Sequence, residues 1–286
     1  MDWRGRRQSS NVEDRRGRGM GRFGRGGGAP IKLSGLGLVV VLLLGAFFGV
    51  DLSGIVGPQT GPTSSSSTPG DPQAEEYKSF VGVVLAETEE VWGRIFQASN
   101  LNYQDPTLVL FSGVTSSACG TAQSAMGPFY CPNDQQVYLD TDFFDVMRQQ
   151  LGSQGEFANA YVVSHEVAHH VQNLLGVLEQ VNARRAQVSE AASNALSVRI
   201  ELQADCYAGI WANGARDRLN LTDDDIRSAL DTAARIGDDA IQQRQQGYVV
   251  PDSFTHGSSE QRQEWFHRGY ESGDPDQCDT FNTNNL

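Results

Sequence analysis

Histidine is scarce in this chain: the 286 residues include five, and three of them fall between positions 165 and 170. Cysteine is limited to four residues. No stretch recurs at a fixed spacing, so nothing predicts a solenoid or a propeller built from repeats. Chemistry that depends on imidazole or thiol groups therefore has few candidate positions, and most of the imidazoles are clustered.

Basic residues are fewer than acidic residues beyond residue 32. The chain carries 22 Lys and Arg against 35 Asp and Glu, a formal charge of −13. Residues 1–32 hold nine basic and three acidic side chains, which leaves the remainder at −19. An acidic body argues against a nucleic-acid partner, although the Arg/Gly clusters of residues 1–31 leave RNA binding by that arm as a weaker hypothesis.

Charged side chains are absent from Leu33 to Val50, a run of eighteen residues. This length approaches the minimum for crossing the hydrocarbon core and exceeds a typical signal-peptide core. No small-residue cleavage motif follows Val50, which favours an uncleaved transmembrane anchor at 32–56 over a cleaved signal peptide. Because Arg residues and Lys32 precede the run, we expect a single-pass protein of the cell membrane, with a cytoplasmic amino terminus and an extracytoplasmic domain.

Composition separates three further parts of the chain. Residues 1–31 form a basic, Arg/Gly-rich cytoplasmic tail that we expect to build no core. Residues 57–74 form a Pro/Ser-rich linker without periodic apolar positions. Residues 75–286 have a length that suits one globular domain.

The pattern of the domain predicts an α+β fold, mostly helical with a small β-sheet. Short apolar stretches at 107–113 and 135–140 are typical of strands. Helical spacing or helix-capping residues mark four stretches, at 75–97, 140–151, 222–245 and 258–273. We interpret the stretch at 222–245 as a single scaffold helix.

The four cysteines favour disulfide bonds if the domain lies outside the cytoplasm. Four cysteines allow three pairings. We favour Cys119 with Cys131, which closes a local loop, and Cys206 with Cys278, which ties the carboxyl-terminal tail to a helix. A thiolate metal ligand at Cys206 is the alternative.

The stretch from Phe157 to Gly176 carries His165, Glu166 and His169 in the order H-E-x-x-H on an apolar segment, which predicts a buried helix. Residues four apart share a helix face, so both imidazoles can reach one metal ion. Zn²⁺ is the expected ion, because its catalytic sites use imidazole ligands and keep one position for water. Glu166 would then act as general base toward that water. A chance pattern with a hydrogen-bonded core histidine is the alternative.

A second apolar helix is predicted at 197–215, where Glu201 and Asp205 lie one turn apart. Carboxylates are seldom fully buried unless they are paired or bind metal. Glu201 is therefore the candidate third metal ligand. Asp205 can accept the free ring N–H of a ligand histidine and orient that ring. An internal ion pair with Arg199 is the alternative.

These motifs together resemble the neutral zinc metallopeptidase family of bacterial membrane proteins, over nearly the whole chain. The resemblance rests on H-E-V-A-H-H (165–170), E-L-Q-A-D (201–205), G-P-F-Y-C-P (127–132), V-Y-L-D (137–140) and the Arg/Gly-rich start before an apolar run. The family implies a zincin-like domain with His165, His169 and Glu201 as zinc ligands, Glu166 as base and Asp205 behind the ligands.

The stretch T-H-G-S-S-E-Q-R (255–262) is similar to a motif of the larger group of membrane gluzincins, with one departure. That group has Pro after the histidine, whereas this chain has Gly257. Hydrolysis needs a hydrogen-bond donor for the developing oxyanion, and His256 is the candidate catalytic donor. We expect Arg262 to orient His256 or to hold a substrate carbonyl. An ordinary loop histidine is the alternative.

The sequence thus predicts a membrane-anchored zinc metallopeptidase that hydrolyses peptides or proteins, an endopeptidase in preference to an exopeptidase. An extended substrate commonly pairs with an edge strand above the active-site helix, and Val137–Asp140 is the candidate edge. The alternative is a non-catalytic, zinc-stabilised module that binds a partner in the cell envelope. A structural zinc site would need neither Glu166 nor an open metal position.

Overall fold

The computed structural model describes residues 1–17, 71–123, 127–149 and 155–282. The anchor predicted at 32–56 lies outside these residues, as does the linker up to residue 70. Among the helices within the described ranges, none is both long enough and apolar enough to span a bilayer.

Helices dominate the described residues, as the sequence predicts. Their bounds are α1 Pro72–Ala98, α2 Phe143–Gln149, α3 Glu156–Leu174, α4 Val177–Arg185, α5 Glu190–Ala215, α6 Asp223–Arg235, α7 Asp238–Gln246 and α8 Ser259–Ser272. Short 3₁₀ turns lie before α8, at Pro251–Ser253, and after it, at Pro275–Cys278.

The strands form two small sheets. Their bounds are β1 Val12–Asp14, β2 Thr107–Phe111, β3 Val114–Ser117, β4 Gly120–Gln123, β5 Phe129–Cys131 and β6 Gln136–Asp140. The four-stranded sheet has the order β1-β2-β6-β5, with β5 antiparallel to β6 and the other pairs parallel. Strands β3 and β4 pair as an antiparallel hairpin. The α+β prediction is confirmed.

The predicted edge at Val137–Asp140 is wrong for its first two residues. Strand β6 pairs along its whole length with β2, and on the other side Gln136–Tyr138 pairs with β5. Val137 and Tyr138 therefore have strand partners on both sides, whereas Leu139 and Asp140 pair with β2 alone. Strand β5 ends the strand order on that side of the sheet instead, and Tyr130 at its centre bonds through its hydroxyl to His170 of α3, 3.0 Å away.

Capping residues explain where several helices begin. Asp71 accepts a hydrogen bond from the Gln73 N–H at the start of α1, so this helix begins at Pro72, three residues before the predicted start of the domain at Glu75. Ser258 forms a capping box with Gln261 at the start of α8. The stretch predicted as one helix at 222–245 forms two helices. Residues 236–237 are not helical, and they separate α6 from α7.

The core is built around α3 and α5. Most residues of α3 between Phe157 and Gln172 are buried, and α5 is buried along its second half from Val198 to Ala215. Trp211 of α5 stacks on Phe157 of α3 at 5.7 Å between ring centroids. These two helices carry the H-E-x-x-H and E-L-Q-A-D motifs, so packing brings the two motifs together.

Both preferred disulfide pairings are confirmed. Cys119 is bonded to Cys131 and Cys206 to Cys278. The second bond joins α5 to the 3₁₀ turn near the carboxyl terminus, across 72 positions of sequence. Cys206 is therefore a disulfide partner, and the thiolate-ligand alternative does not apply.

Residues 1–17 pack against the domain, which differs from the core-free tail expected for residues 1–31. The Trp3 side chain is 5% exposed and meets Phe80 of α1 edge to face at 5.4 Å. Strand β1 extends the sheet in parallel with β2. Arg16 is buried, donates to the Ala74 carbonyl and pairs with Asp14. The amino-terminal segment, which we define as residues 1–17, is therefore part of the domain.

Candidate metal centre

Helices α3 and α5 bring together the three residues expected to bind metal. His165 Nε2 lies 3.1 Å from Glu201 Oε2, and His169 Nε2 lies 3.5 Å from Glu201 Oε1. Ligands held at 2.0–2.1 Å around a tetrahedral ion are separated by about 3.3 Å. Potential ligand atoms of all three residues lie within 4.8 Å of one another. The donor set and its spacing fit one zinc ion.

The Nδ1 atoms of both histidines face hydrogen-bond acceptors. His165 Nδ1 lies 2.8 Å from Asp205 Oδ1, and His169 Nδ1 lies 2.8 Å from Gln172 Oε1. Each Nδ1 therefore carries the proton in the neutral ring, which leaves the Nε2 lone pair on the side of Glu201. This tautomer is the one that a metal at the centre requires.

Gln172 is held so that its amide oxygen faces His169. The Gln172 amide nitrogen donates to the Ile200 carbonyl at 2.8 Å and to Gln203 Oε1 at 3.0 Å. The amide is fully buried, so a flipped orientation would leave donors and acceptors without matching partners. The orientation of His169 thus depends on a residue of its own helix and on two residues of α5.

Asp205 faces His165 and has two additional partners, Tyr161 and Arg262. Its Oδ1 accepts from His165, from the Tyr161 hydroxyl at 2.5 Å and from Arg262 Nη2 at 3.0 Å. Its Oδ2 accepts from Arg262 Nε at 2.8 Å. Asp205 and Arg262 are both buried, so this bidentate pair compensates two charges that water does not reach.

Burial and neighbouring charges shift the pKa values of the Asp205 and Glu166 carboxyl groups in opposite directions. Burial raises the pKa of Asp205, but Arg262 and His165 outweigh it and hold the pKa at about 2. Burial also raises the pKa of Glu166, and His169 and His165 offset only part of that effect. Glu166 is 8% exposed and lies on α3 between the two histidines. The centre therefore combines a permanently ionised Asp205 with a Glu166 carboxyl that takes up a proton more readily than usual.

His256 lies near the same centre. Burial acts to raise the pKa of Glu201, but the opposing effects of His169 and His165 are larger together, and His256 adds to them. The pKa of Glu201 is therefore well below its usual value. An electrostatic effect of this kind requires His256 to be close to Glu201. The His256 side chain is 30% exposed and its Nδ1 lies 3.3 Å from Asp238 Oδ1. The next residue, Gly257, lies against Leu202 and Val198 of α5, the helix that carries Glu201.

Arg262 does not have the partner expected for it. Its described contacts are with Asp205, with the Tyr161 hydroxyl at 3.2 Å and with the Ile236 carbonyl at 3.3 Å. At 3% exposure the guanidinium is buried and unsuited to holding a substrate carbonyl. Arg262 therefore supports the ligand shell through Asp205, and the role expected toward His256 is wrong.

The alternative partner proposed for the acidic pair is also not the one observed. Arg199 donates through Nη1 to the Thr280 carbonyl. The carboxylates of Glu201 and Asp205 instead face His165, His169 and Arg262, as described above.

The departure at Gly257 has a backbone cause. Gly257 has φ of +96°, a conformation that glycine adopts readily and that proline, fixed near −65°, does not. A Cβ at this position would also approach Leu202 at 3.1 Å. The turn after His256 therefore has a different backbone from one that contains Pro at the same place.

Sequence reasoning missed three residues of the centre. Tyr161 and Gln172 lie on the H-E-x-x-H helix, and the sequence analysis gives neither of them a role. Asp238 lies in the stretch 222–245 that is interpreted as a scaffold helix. A buried Gln within an apolar stretch is a usable signal, since its amide needs partners. The pairing of Asp238 with a loop 18 positions later leaves no local pattern in the sequence.

Known proteins are similar in sequence to nearly the whole chain. The sequence profile of the family described as "Putative neutral zinc metallopeptidase" matches residues 1–281. An Escherichia coli K12 protein described as "Uncharacterized protein YpfJ" is 48% identical over 285 residues, covering 98% of this chain and 99% of the relative. A Mycobacterium tuberculosis H37Rv protein described as "Uncharacterized protein Rv2575" is 42% identical over 254 residues, covering 83% and 85% respectively. No solved structure matches the chain.

Proposed function

The chain belongs to the neutral zinc metallopeptidase family, and from this premise we propose that it is a zinc-dependent peptidase whose ligands are His165, His169 and Glu201. The observation that carries the proposal is the shared direction of the two histidine Nε2 atoms, both of which face Glu201. The proposed substrates are peptides or proteins. We propose cleavage within the chain, as an endopeptidase.

The residues around the centre can divide the work of hydrolysis. A bound zinc ion would polarise the attacking water and the scissile carbonyl. Glu166 would accept the proton of that water and return it to the leaving amine nitrogen. His256 would donate a hydrogen bond to the carbonyl oxygen as negative charge develops there. Asp205 and Gln172 would keep the ligand rings oriented throughout.

An extended substrate needs a strand with free backbone groups. Strand β5 ends the described sheet on the side of α3, and Tyr130 of β5 is hydrogen-bonded to His170 next to the ligand His169. We propose that substrate pairs with Phe129–Cys131 rather than with β6, by strand addition. A complex with a bound peptide analogue would contradict this if the peptide made no backbone contact with those three residues.

The membrane location is a separate part of the proposal. We propose that residues 32–56 associate with the membrane and that the domain lies outside the cytoplasm, which the two disulfide bonds support. The contacts of the amino-terminal segment with the domain require both to be on one side of the membrane whenever those contacts form. A single crossing would put them on opposite sides.

Protease treatment of spheroplasts tests the location, with an epitope at each end of the full chain. Loss of the carboxyl-terminal epitope alone would support one crossing with a cytoplasmic amino terminus. Loss of both epitopes would support the docked arrangement outside the cytoplasm. Protection of the carboxyl-terminal epitope until the cells are lysed would refute an extracytoplasmic domain.

Zinc content and cleavage, measured on the purified full chain, test the catalytic proposal. We expect one zinc per chain and cleavage of peptides with blocked termini. Glu166→Gln should keep the zinc and lose cleavage, whereas Glu201→Gln should lose most of the zinc. Glu190→Gln is the matched control, because Glu190 is exposed on the same helix as Glu201.

The outcomes separate the alternatives. Zinc without cleavage in the wild type would favour the non-catalytic envelope module. Zinc binding that is unchanged in Glu201→Gln would remove Glu201 from the ligand set. Absence of zinc from the wild type after loading and dialysis would contradict the peptidase proposal.

A further inference from the structure

The break between α6 and α7 lies directly against the loop that carries His256. Asp238, the first residue of α7, is 6% exposed, and its Oδ2 accepts three consecutive backbone N–H groups. The donors are Thr255 at 2.7 Å, His256 at 2.6 Å and Gly257 at 3.1 Å. In return the Asp238 N–H donates to the Gly257 carbonyl at 2.9 Å. One buried carboxylate thus fixes the backbone on both sides of His256.

The same carboxylate also faces the imidazole. Asp238 Oδ1 lies 3.3 Å from His256 Nδ1. A carboxylate at this position favours a proton on Nδ1, and Nε2 lies at the opposite edge of the ring. The Thr255 hydroxyl oxygen lies 3.0 Å from the same Nδ1 and can accept the same proton. Asp238 therefore holds the main chain of His256, and it shares the contact with the His256 side chain with Thr255.

The backbone around Asp238 is built for this close approach. A Cβ on Gly237 would lie 2.4 Å from the Ser259 nitrogen and 2.7 Å from its Cα, distances that no side chain could occupy without displacing the loop. Asp239 accepts the Ser259 N–H at 2.7 Å, at the start of α8. Sequence periodicity does not predict this interruption between α6 and α7. The residues at the interruption contact the chain on both sides of His256.

We propose that Asp238 is a positioning residue that orients His256 for its part in peptide hydrolysis. This inference rests on the proposed peptidase function. Asp238 acts only through His256: it holds the loop in place and keeps the proton of the neutral imidazole on Nδ1. Removal of its charge should lower kcat and leave zinc content unchanged, since Asp238 contacts none of the three candidate metal ligands among its described partners.

A double-mutant cycle tests the inference on the zinc-loaded full chain. Loss of one preorganised oxyanion donor costs about 10²–10³ in kcat, so we expect His256→Ala to fall in that range and Asp238→Asn to approach it. Asp238→Asn should change KM little, and it should have no further effect in a chain that already carries His256→Ala. Independent, multiplicative losses in the double variant would overturn the inference. Asp231→Asn is the matched control, since Asp231 is exposed on α6 and the charge change is the same.

A second measurement does not depend on activity. In ¹⁵N-labelled protein, the His256 ring should be protonated on Nδ1 in the wild type and in Asp231→Asn, and should lose that preference in Asp238→Asn. An unchanged tautomer in a folded Asp238→Asn would overturn the inference. If neither the wild type nor the control cleaves any peptide, the proposed function fails, and this spectrum still tests whether Asp238 positions His256.

Discussion

Asp205 of α5 and His165 of α3 are joined by a 2.8 Å hydrogen bond, although the two residues are 40 positions apart in sequence. The carboxylate that accepts this bond is also held by Arg262 from a third helix. The orientation of a candidate metal ligand therefore depends on the mutual packing of α3, α5 and α8.

Asp205→Asn should weaken the metal centre and the fold together. The amide cannot balance the buried Arg262 guanidinium, and removal of one partner of a buried ion pair costs about 3–5 kcal/mol. Zinc affinity should fall by about 10–100-fold, because His165 loses the acceptor that sets its tautomer. Chelator competition and chemical denaturation measure the two effects. Tyr161→Phe removes the hydroxyl that donates to the same carboxylate and accepts from Arg262, but it leaves the ion pair intact and should cost much less in both assays. Equal losses would contradict this account.

Gln172→Leu should reduce zinc affinity by about 10–100-fold even though Gln172 is not a ligand. The substitution keeps a side chain of similar size but removes the acceptor that holds His169 Nδ1. Gln180→Leu is the control, since Gln180 is exposed on α4. Titration of the metal-free chains with zinc and a competing chelator measures the difference. Affinities that match in the two variants would show that Gln172 does not orient His169.

Trp3→Ala should destabilise the whole domain and not only the amino-terminal segment. Truncation of a buried Trp costs about 3–5 kcal/mol, and Trp3 packs on Phe80 of the first helix. Asp2→Ala, at an exposed neighbour, should stay within about 0.5 kcal/mol. Urea denaturation of the full-length chains gives both values. A negligible effect of Trp3→Ala on the free energy of unfolding would mean that residues 1–17 are not part of the folded domain in solution.

The ion pair of Asp14 and Arg16 should add stability that disappears in acid. The hydrogen bond from Arg16 lowers the Asp14 pKa to about 2 in the folded protein, below its unfolded value of about 3.9. The stabilisation is therefore complete above about pH 5 and is lost as the pH falls toward 2. The free energy of unfolding of the wild type minus that of Asp14→Asn, measured across this range, should shrink as the pH falls. A difference that is constant with pH would exclude this contribution.

Local patterns in the sequence determined much of the candidate centre. The four-residue spacing of His165 and His169 requires only that the stretch be helical, and the apolar surroundings of Glu201 identify it as a carboxylate that needs a partner. Capping residues such as Ser258 marked a helix start that the structure confirms. The fold class and the disulfide pairing were also predicted correctly. Apart from the Cys206–Cys278 bond, which spans 72 positions, the determining interactions lie close in sequence or follow from periodicity.

The tertiary structure decided which distant groups meet. Val137 and Tyr138 of β6 are not at the sheet edge, because β2 and β5 pair with them on opposite sides, and strand order has no local signature in the sequence. The amino-terminal segment joined the domain because Trp3 and Arg16 find buried partners more than fifty positions away. Arg262 pairs with Asp205 and Asp238 holds His256 for the same reason. Sequence by itself determined the candidate ligands and the helices that carry them, whereas their supporting contacts depend on side chains that only packing brings within hydrogen-bond distance.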